Sequence, residues 1–175
     1  MAVLQWIQDL PISAAIAASD SLWWGYAWWL FVHAVGMGLT AGIGFIVCLR
    51  VLGFGQQIPL SSFRVTFRLF WIGFYINLLS GVILFMTDAT GIARVWELYA
   101  KLACLTLALM AMSRLRKFVD SSESDGAIPP SIRKTAVACL VLWLAVITSG
   151  RLIAYAVEAR GAVATLVTQV HAQAI

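Results

Sequence analysis

Charge is scarce in this sequence. Of 175 residues only 11% are Asp, Glu, Lys or Arg, and 62% are hydrophobic. A soluble domain carries roughly a quarter charged residues, which cover its surface. Here the apolar residues come in long blocks and the mean hydropathy is +0.90, so lipid is read as the solvent for most of the surface. Catalytic motifs are missing as well. The sequence contains no HExxH, no GxSxG and, outside the polar stretch 120–130, no close carboxylate pair, and its loops are too short to build a soluble active site. A self-standing enzyme is therefore the least favoured reading, and no catalytic residue is assigned.

Cysteine is sparse and unpatterned. Cys48, Cys104 and Cys139 are odd in number and show no CxxC or CxxCH spacing, which argues against a disulfide framework, a zinc site and c-type haem attachment. All three fall in apolar blocks and read as small packing residues. No Lys or Arg precedes Arg50, and Asp9 and Pro11 interrupt the first apolar run. That is not the basic start and unbroken core of a signal peptide. Residues 2–10 read instead as an amphipathic helix lying in the outer interface, with Trp6 as its anchor. The net charge of +4 comes from residues at helix ends, not from a stripe or arm, so it does not point to nucleic acid.

What is present is a run of four apolar blocks. They predict transmembrane helices over 27–51, 67–88, 95–113 and 135–157, each close to the 20 residues a bilayer requires. Trp23, Trp24, Tyr26, Trp28 and Trp29 open the first span, where aromatic residues suit the headgroup level. Ala34, Gly38 and Gly42 recur every four residues in it, as do Gly36, Thr40 and Gly44; such spacing lets helices approach closely in lipid. Gly73, Asn77, Gly81 and Asp88 fall near one face of the second span. The stretch 120–130, DSSESDGAIPP, has linker composition. Residues 159–175 place Val163, Leu166, Val167 and Val170 on one stripe and read as a second surface-lying helix.

Basic residues set the expected orientation. Arg50, Arg64 and Arg68 surround the first connection, and Arg114, Arg116, Lys117, Arg133 and Lys134 surround the third; the opposite side has Arg94 and Arg160. Positive residues favour the cytoplasmic side. The expected fold is all-α: an antiparallel four-helix bundle in a bacterial inner membrane, with both termini periplasmic and interfacial helices at each end.

An ionisable group inside a span is a functional candidate by default. His33, Lys101 and Arg151 meet that description, with Asp88 and Glu97 at the outer boundary. A rise of 1.5 Å per residue places His33 roughly 8 Å below Trp28, with Lys101 and Arg151 each roughly 9 Å inside their span ends. Glu97 with Lys101, and Arg151 with Tyr155, are four apart and share a helix face. If these faces converge, they form an outer-leaflet pocket. Simpler readings stand beside this one. Lys101 and Arg151 would snorkel to the headgroups, Asp88 and Glu97 would be interfacial residues, and His33 a hydrogen-bonded packing residue.

Such a pocket has several chemical uses. Haem b needs an axial ligand, and His33 is the one histidine in a span; Met86 or Met37 would be a second ligand, and His171 only if the tail folds back. The two cations suit haem propionates. A quinone head needs only hydrogen-bond partners, which His33, Tyr155 and a carboxylate supply together with proton exchange. An anionic phospholipid needs Arg151 and Lys101 alone.

The segments WIQDLPIS, LWWGYAWWLFVHAVGMGLTAG, LRVLG, GFYINLLSGVILF, LYAKLACL and LWLAVITSGRLIAY together resemble a family of four-helix bacterial inner-membrane proteins of uncharacterised activity. The resemblance covers nearly the whole chain. It matches at His33 and Gly36, Leu49-Arg50 with Leu52-Gly53, Gly73-Phe74, Gly81, Lys101, and Gly150-Arg151 with Ala154-Tyr155. Cys48 departs from it, standing where an acidic residue is expected to accompany Arg50. The family is distantly similar to copper-resistance-D-type and cytochrome-b561-type membrane proteins. That likeness implies the four-helix topology and a metal or haem between helices.

Two functions follow as expectations. One is a membrane subunit that binds haem b or a quinone and serves electron transfer in a membrane-associated redox complex. The other is a non-redox anchor subunit, whose charges bind lipid or a partner protein. A transporter is less favoured, because no span is broken by Gly/Pro pairs at mid-membrane.

Overall fold

The breaks between helices are chemically marked. Gly53 adopts φ 109°, and its N–H together with that of Phe54 closes on the carbonyls of Arg50 and Leu49. This left-handed C-cap suits glycine and ends the first long helix. Pro11 stands at the first turn of a short helix, where its missing N–H costs nothing. Asp88 accepts from the Gly91 N–H at 3.1 Å and caps the single turn that follows the second long helix.

The computed structural model describes residues 2–121 and 127–173. In chain order its elements are α1 (Ala2–Gln8), α2 (Pro11–Ala18), α3 (Tyr26–Leu52), a 3₁₀ turn (Leu60–Ser62), α4 (Phe63–Thr87), α5 (Ala89–Ile92), α6 (Trp96–Ser121) and α7 (Pro130–Gln173). Every regular element among the described residues is helical. Four of the helices, α3, α4 (with its leading turn), α6 and α7, are long and apolar enough to cross a membrane.

Neighbouring helices run in opposite directions. On α3 and α4 the facing pairs are His33 with Ser80, Gly36 with Asn77, and Thr40 with Gly73. On α3 and α7, Gly44 meets Trp143 and Cys48 meets Cys139. On α6 and α7, Lys101 lies against Gly150, and the Ala108 carbonyl lies 3.9 Å from Cys139 Sγ. Helix α4 touches α6 only lightly.

Small residues permit the α3–α4 approach. A Cβ at Gly36 would sit 2.6 Å from the Asn77 nitrogen, and one at Gly73 2.6 Å from Leu39 Cβ. In lipid, where apolar surface gains nothing by leaving the solvent, such close packing is a main source of association. The two small-residue rows of α3 therefore differ. Gly36, Thr40 and Gly44 are buried, whereas Ala34 and Gly38 are exposed, and nothing lies within 4 Å of a Cβ at Gly38 or Gly42.

The interior is divided by polarity. Val47, Cys48, Val51, Phe67, Phe70, Met112, Leu115, Val119, Cys139 and Trp143 fill one end, where the polar groups are the unpartnered Trp143 Nε1, Cys139 Sγ against the Ala108 carbonyl, and buried Arg50, whose Nε donates to the Ile58 carbonyl. The other end holds Thr40, Asn77, Ser80 and Ser149, all buried, with half-buried His33 and Lys101. Above that polar end, α1 and α2 are tied down by side chains. Ser13 Oγ donates to the Met86 carbonyl at 2.6 Å, and Gln8 Oε1 accepts from Thr90 N and Oγ1.

Several boundaries differ from the sequence expectation. The N-terminal segment forms two helices, α1 and α2, because Pro11 starts a new one. The third span continues past residue 113 to Ser121, since Arg114, Arg116 and Lys117 are good helix formers; residues 122–126 of the expected linker lie outside the described residues. The tail is no separate surface helix. With no proline after Pro130, α7 continues unbroken to Gln173, which carries position 171 roughly 21 Å beyond Val157 along the helix axis. The tail therefore does not fold back to bring His171 to the site, and the His171 side chain lies outside the described residues.

Candidate functional site

The polar end of the interior is built around His33. Its ring lies over Gly81, where a Cβ would come within 3.0 Å of Cε1. Glycine at 81 thus leaves room for the imidazole. The His33 carbonyl accepts from Asn77 Nδ2 at 2.9 Å, and Gly36, one turn on, lets the Asn77 backbone come close enough for that bond. Both backbone and ring of His33 are held by α4.

The tautomer is assigned from the shorter hydrogen bond of Ser80, since the His33–Ser80 distance alone allows either ring nitrogen to carry the proton. Ser80 Oγ lies 2.6 Å from the Ile76 carbonyl and 3.2 Å from that of Asn77. A serine has a single hydroxyl proton. With that proton given to its own helix, Ser80 can only accept from His33 Nδ1, 3.1 Å away. Nδ1 then carries the hydrogen, and Nε2 is left with a lone pair. Fixing one ring nitrogen so that the other can act is the usual preparation of a functional histidine.

Unpartnered polar atoms accompany it. Trp29 Nε1, one turn before His33 on α3, is buried without a hydrogen-bond partner, as is Glu97 Oε2, one turn before Lys101 on α6. Glu97 and Lys101, though four apart on one face of α6, do not form an ion pair, and Glu97 Oε2 has no partner. Lys101 lies over Gly150 with Nζ 3.5 Å from where a Cβ would be, and its charge is within electrostatic reach of His33. Side chains lean toward the N-terminus of their own helix, so Lys101 leans back along α6 toward Glu97. Burying polar atoms unpaired is unfavourable by about 1–3 kcal/mol each. Two such atoms, Trp29 Nε1 and Glu97 Oε2, belong to residues one turn from half-buried His33 and Lys101 on their helices.

The structure brings together only part of the set expected from sequence. His33, Lys101 and Glu97 are half-buried, but Arg151 and Tyr155 are exposed on a different face of α7, Tyr155 by 63%. Arg151 shares a level with Lys101, since Lys101 packs on the adjacent Gly150, but one residue of helix turns it about 100° away. Asp88 is occupied as the cap of α5. Met86 lies six residues beyond Ser80, roughly 9 Å above the level of His33, and Met37 packs against the apolar core. Ser80 and Trp29 were not singled out by sequence. A serine three residues after Asn77 on one helix face was the available sign for Ser80. Trp29 was hidden in the aromatic run that marks the interface.

Among the described residues, no group of three or more His, Cys, Asp and Glu is arranged to hold a metal ion. No known family model, curated protein or solved structure matches this chain.

Proposed function

We propose that this chain is a multi-pass protein of a bacterial inner membrane, with both termini on the periplasmic side. In this reading its four long helices form a bundle whose periplasmic half binds the head of an isoprenoid quinone or quinol and serves electron transfer in a membrane redox complex. The orientation is supported by the distribution of Arg and Lys. The exposed Trp6, Trp23 and Trp24 lie at the end that would face outward and suit its interface.

The observation that carries the quinone reading is the half-buried His33, bonded through Nδ1 to Ser80 and within electrostatic reach of Lys101, with the unpartnered buried Trp29 Nε1 and Glu97 Oε2 one turn away along α3 and α6. A quinone carbonyl needs donors, which Trp29 Nε1 and Lys101 Nζ provide. A quinol hydroxyl needs an acceptor that can also take its proton, which His33 Nε2 and Glu97 Oε2 provide. Haem b fits less well. It requires strong axial ligation, and His33 is the one histidine of the four spans, with Met86 about 9 Å above it.

Copurification tests this directly. The protein extracted in mild detergent without added quinone is expected to carry isoprenoid quinone near one per chain and to show no Soret band. A Soret band would assign haem b instead, and phospholipid alone would leave the anchor reading. That second reading draws on one observation of its own: the outward Ala34, Gly38 and Gly42 row, open to another helix.

A further inference from the structure

Arg151 faces away from every other helix of this chain. Leu144, Thr148, Arg151 and Tyr155 are all exposed, and their spacing of four, three and four residues makes one continuous stripe on α7. The stripe lies within the apolar segment that qualifies α7 to cross a membrane. A guanidinium facing hydrocarbon needs a counter-charge or a route to water.

The route to water is poor. Arg151 lies toward the C-terminal end of the span, and its side chain leans toward the N-terminus of α7. It therefore leans toward the middle of the membrane and away from the nearer headgroups. Lys101, on the oppositely directed α6, leans the other way. Among the described residues no counter-charge pairs with it either. Glu97 faces the interior with Oε2 buried, and Glu158, two turns along the same stripe, makes no ion pair with Arg151.

We propose that this stripe is the docking face for a transmembrane helix of a different membrane protein, one that carries an Asp or Glu at the level of Arg151. The pair would be charge-assisted and shielded from water, with Tyr155 and Thr148 as hydrogen-bonding neighbours and Leu144 as the apolar continuation. A second copy of this chain does not fit. A two-fold contact through the stripe would set Arg151 against its own copy, and like charges in lipid repel. The inference rests on the membrane reading and not on quinone binding, since Arg151 is outside the His33 site.

Photo-crosslinking in intact native cells tests it. With p-benzoylphenylalanine at Thr148, irradiation is expected to give an adduct whose crosslinked peptide is a transmembrane segment of another protein with a carboxylate within one turn. Arg151→Leu should lower the adduct at least fivefold and Arg151→Lys should retain it. Exchanging the charges, Arg151→Asp with the partner carboxylate changed to Arg, should restore what Arg151→Asp alone removes. Adducts to phospholipid only, to a second copy, to a segment without a carboxylate, or at a level unchanged by Arg151→Leu would each overturn the proposal. Quinone content separates the two readings, because Arg151→Leu should leave it unchanged whatever happens to the adduct.

Discussion

Gly36→Leu is expected to unfold or loosen the protein at temperatures where Gly38→Leu leaves it intact, although the two sites lie two residues apart on the same helix. At Gly36 even a Cβ would meet the Asn77 nitrogen at 2.6 Å and its Cα at 2.9 Å. Backbone atoms cannot rotate away, so α4 must move off α3. That movement breaks the Asn77 bond to the His33 carbonyl and the His33 bond to Ser80. Overpacking costs about 1–3 kcal/mol and sometimes more, and each interhelical hydrogen bond in lipid contributes about 0.6 kcal/mol. Better helix propensity returns up to about 1 kcal/mol. A net loss of about 1–3 kcal/mol remains. At Gly38 a Cβ meets nothing within 4 Å, so only the propensity gain applies. Thermal melts of the two variants in one detergent check the difference, and equal midpoints would contradict the α3–α4 packing described.

The second large effect is on binding. His33→Leu fills similar space over Gly81 but removes Nε2, and it should weaken quinol binding by tenfold to a hundredfold. The range corresponds to losing one hydrogen bond whose buried partner is left unsatisfied, about 1.5–3 kcal/mol. Ser80→Ala should weaken binding by a few-fold, because the imidazole stays but its tautomer is no longer fixed. Arg151→Leu should have no effect on affinity, since that side chain points out of the interior. Titration of the detergent-solubilised variants with a short-chain quinol checks all three. A loss at Arg151 equal to that at His33 would return Arg151 to the site.

How much of this was legible in the sequence depends on the period of each signal. The four apolar blocks are long and strongly patterned, and the helices fall where they predict. Their ends are less readable. The third span runs on to Ser121 and the fourth to Gln173 because charged residues such as Arg116 and Glu158 extend a helix beyond the apolar part without breaking it. Pro11, by contrast, opens a second short helix, α2, beyond the 2–10 helix expected from sequence.

The candidate site was half legible. A histidine, a lysine and an arginine inside spans mark themselves as costly, and their depth can be counted from span ends. The face cannot be fixed by depth, and Arg151 and Lys101 show the difference: both reach the same level, but one turns outward and the other inward. The sorting residues are glycines. Gly81 admits the His33 ring and Gly150 admits the Lys101 chain, and nothing in a single sequence says which of 13 glycines is pressed against a neighbour. The tautomer of His33 was beyond reach for the same reason, since it depends on where Ser80 spends its one proton.

Quinol binding as proposed depends on α4 holding the imidazole of α3 with Nδ1 protonated and Nε2 free to accept from a hydroxyl. Nitrogen NMR on membrane-embedded, histidine-labelled protein reads that state directly, with a His171→Gln sample leaving His33 as the single signal. A protonated Nδ1 and a pyridine-like Nε2 are expected, with the Nε2 resonance moving when quinol is added. A protonated Nε2, or a resonance indifferent to quinol, would contradict it.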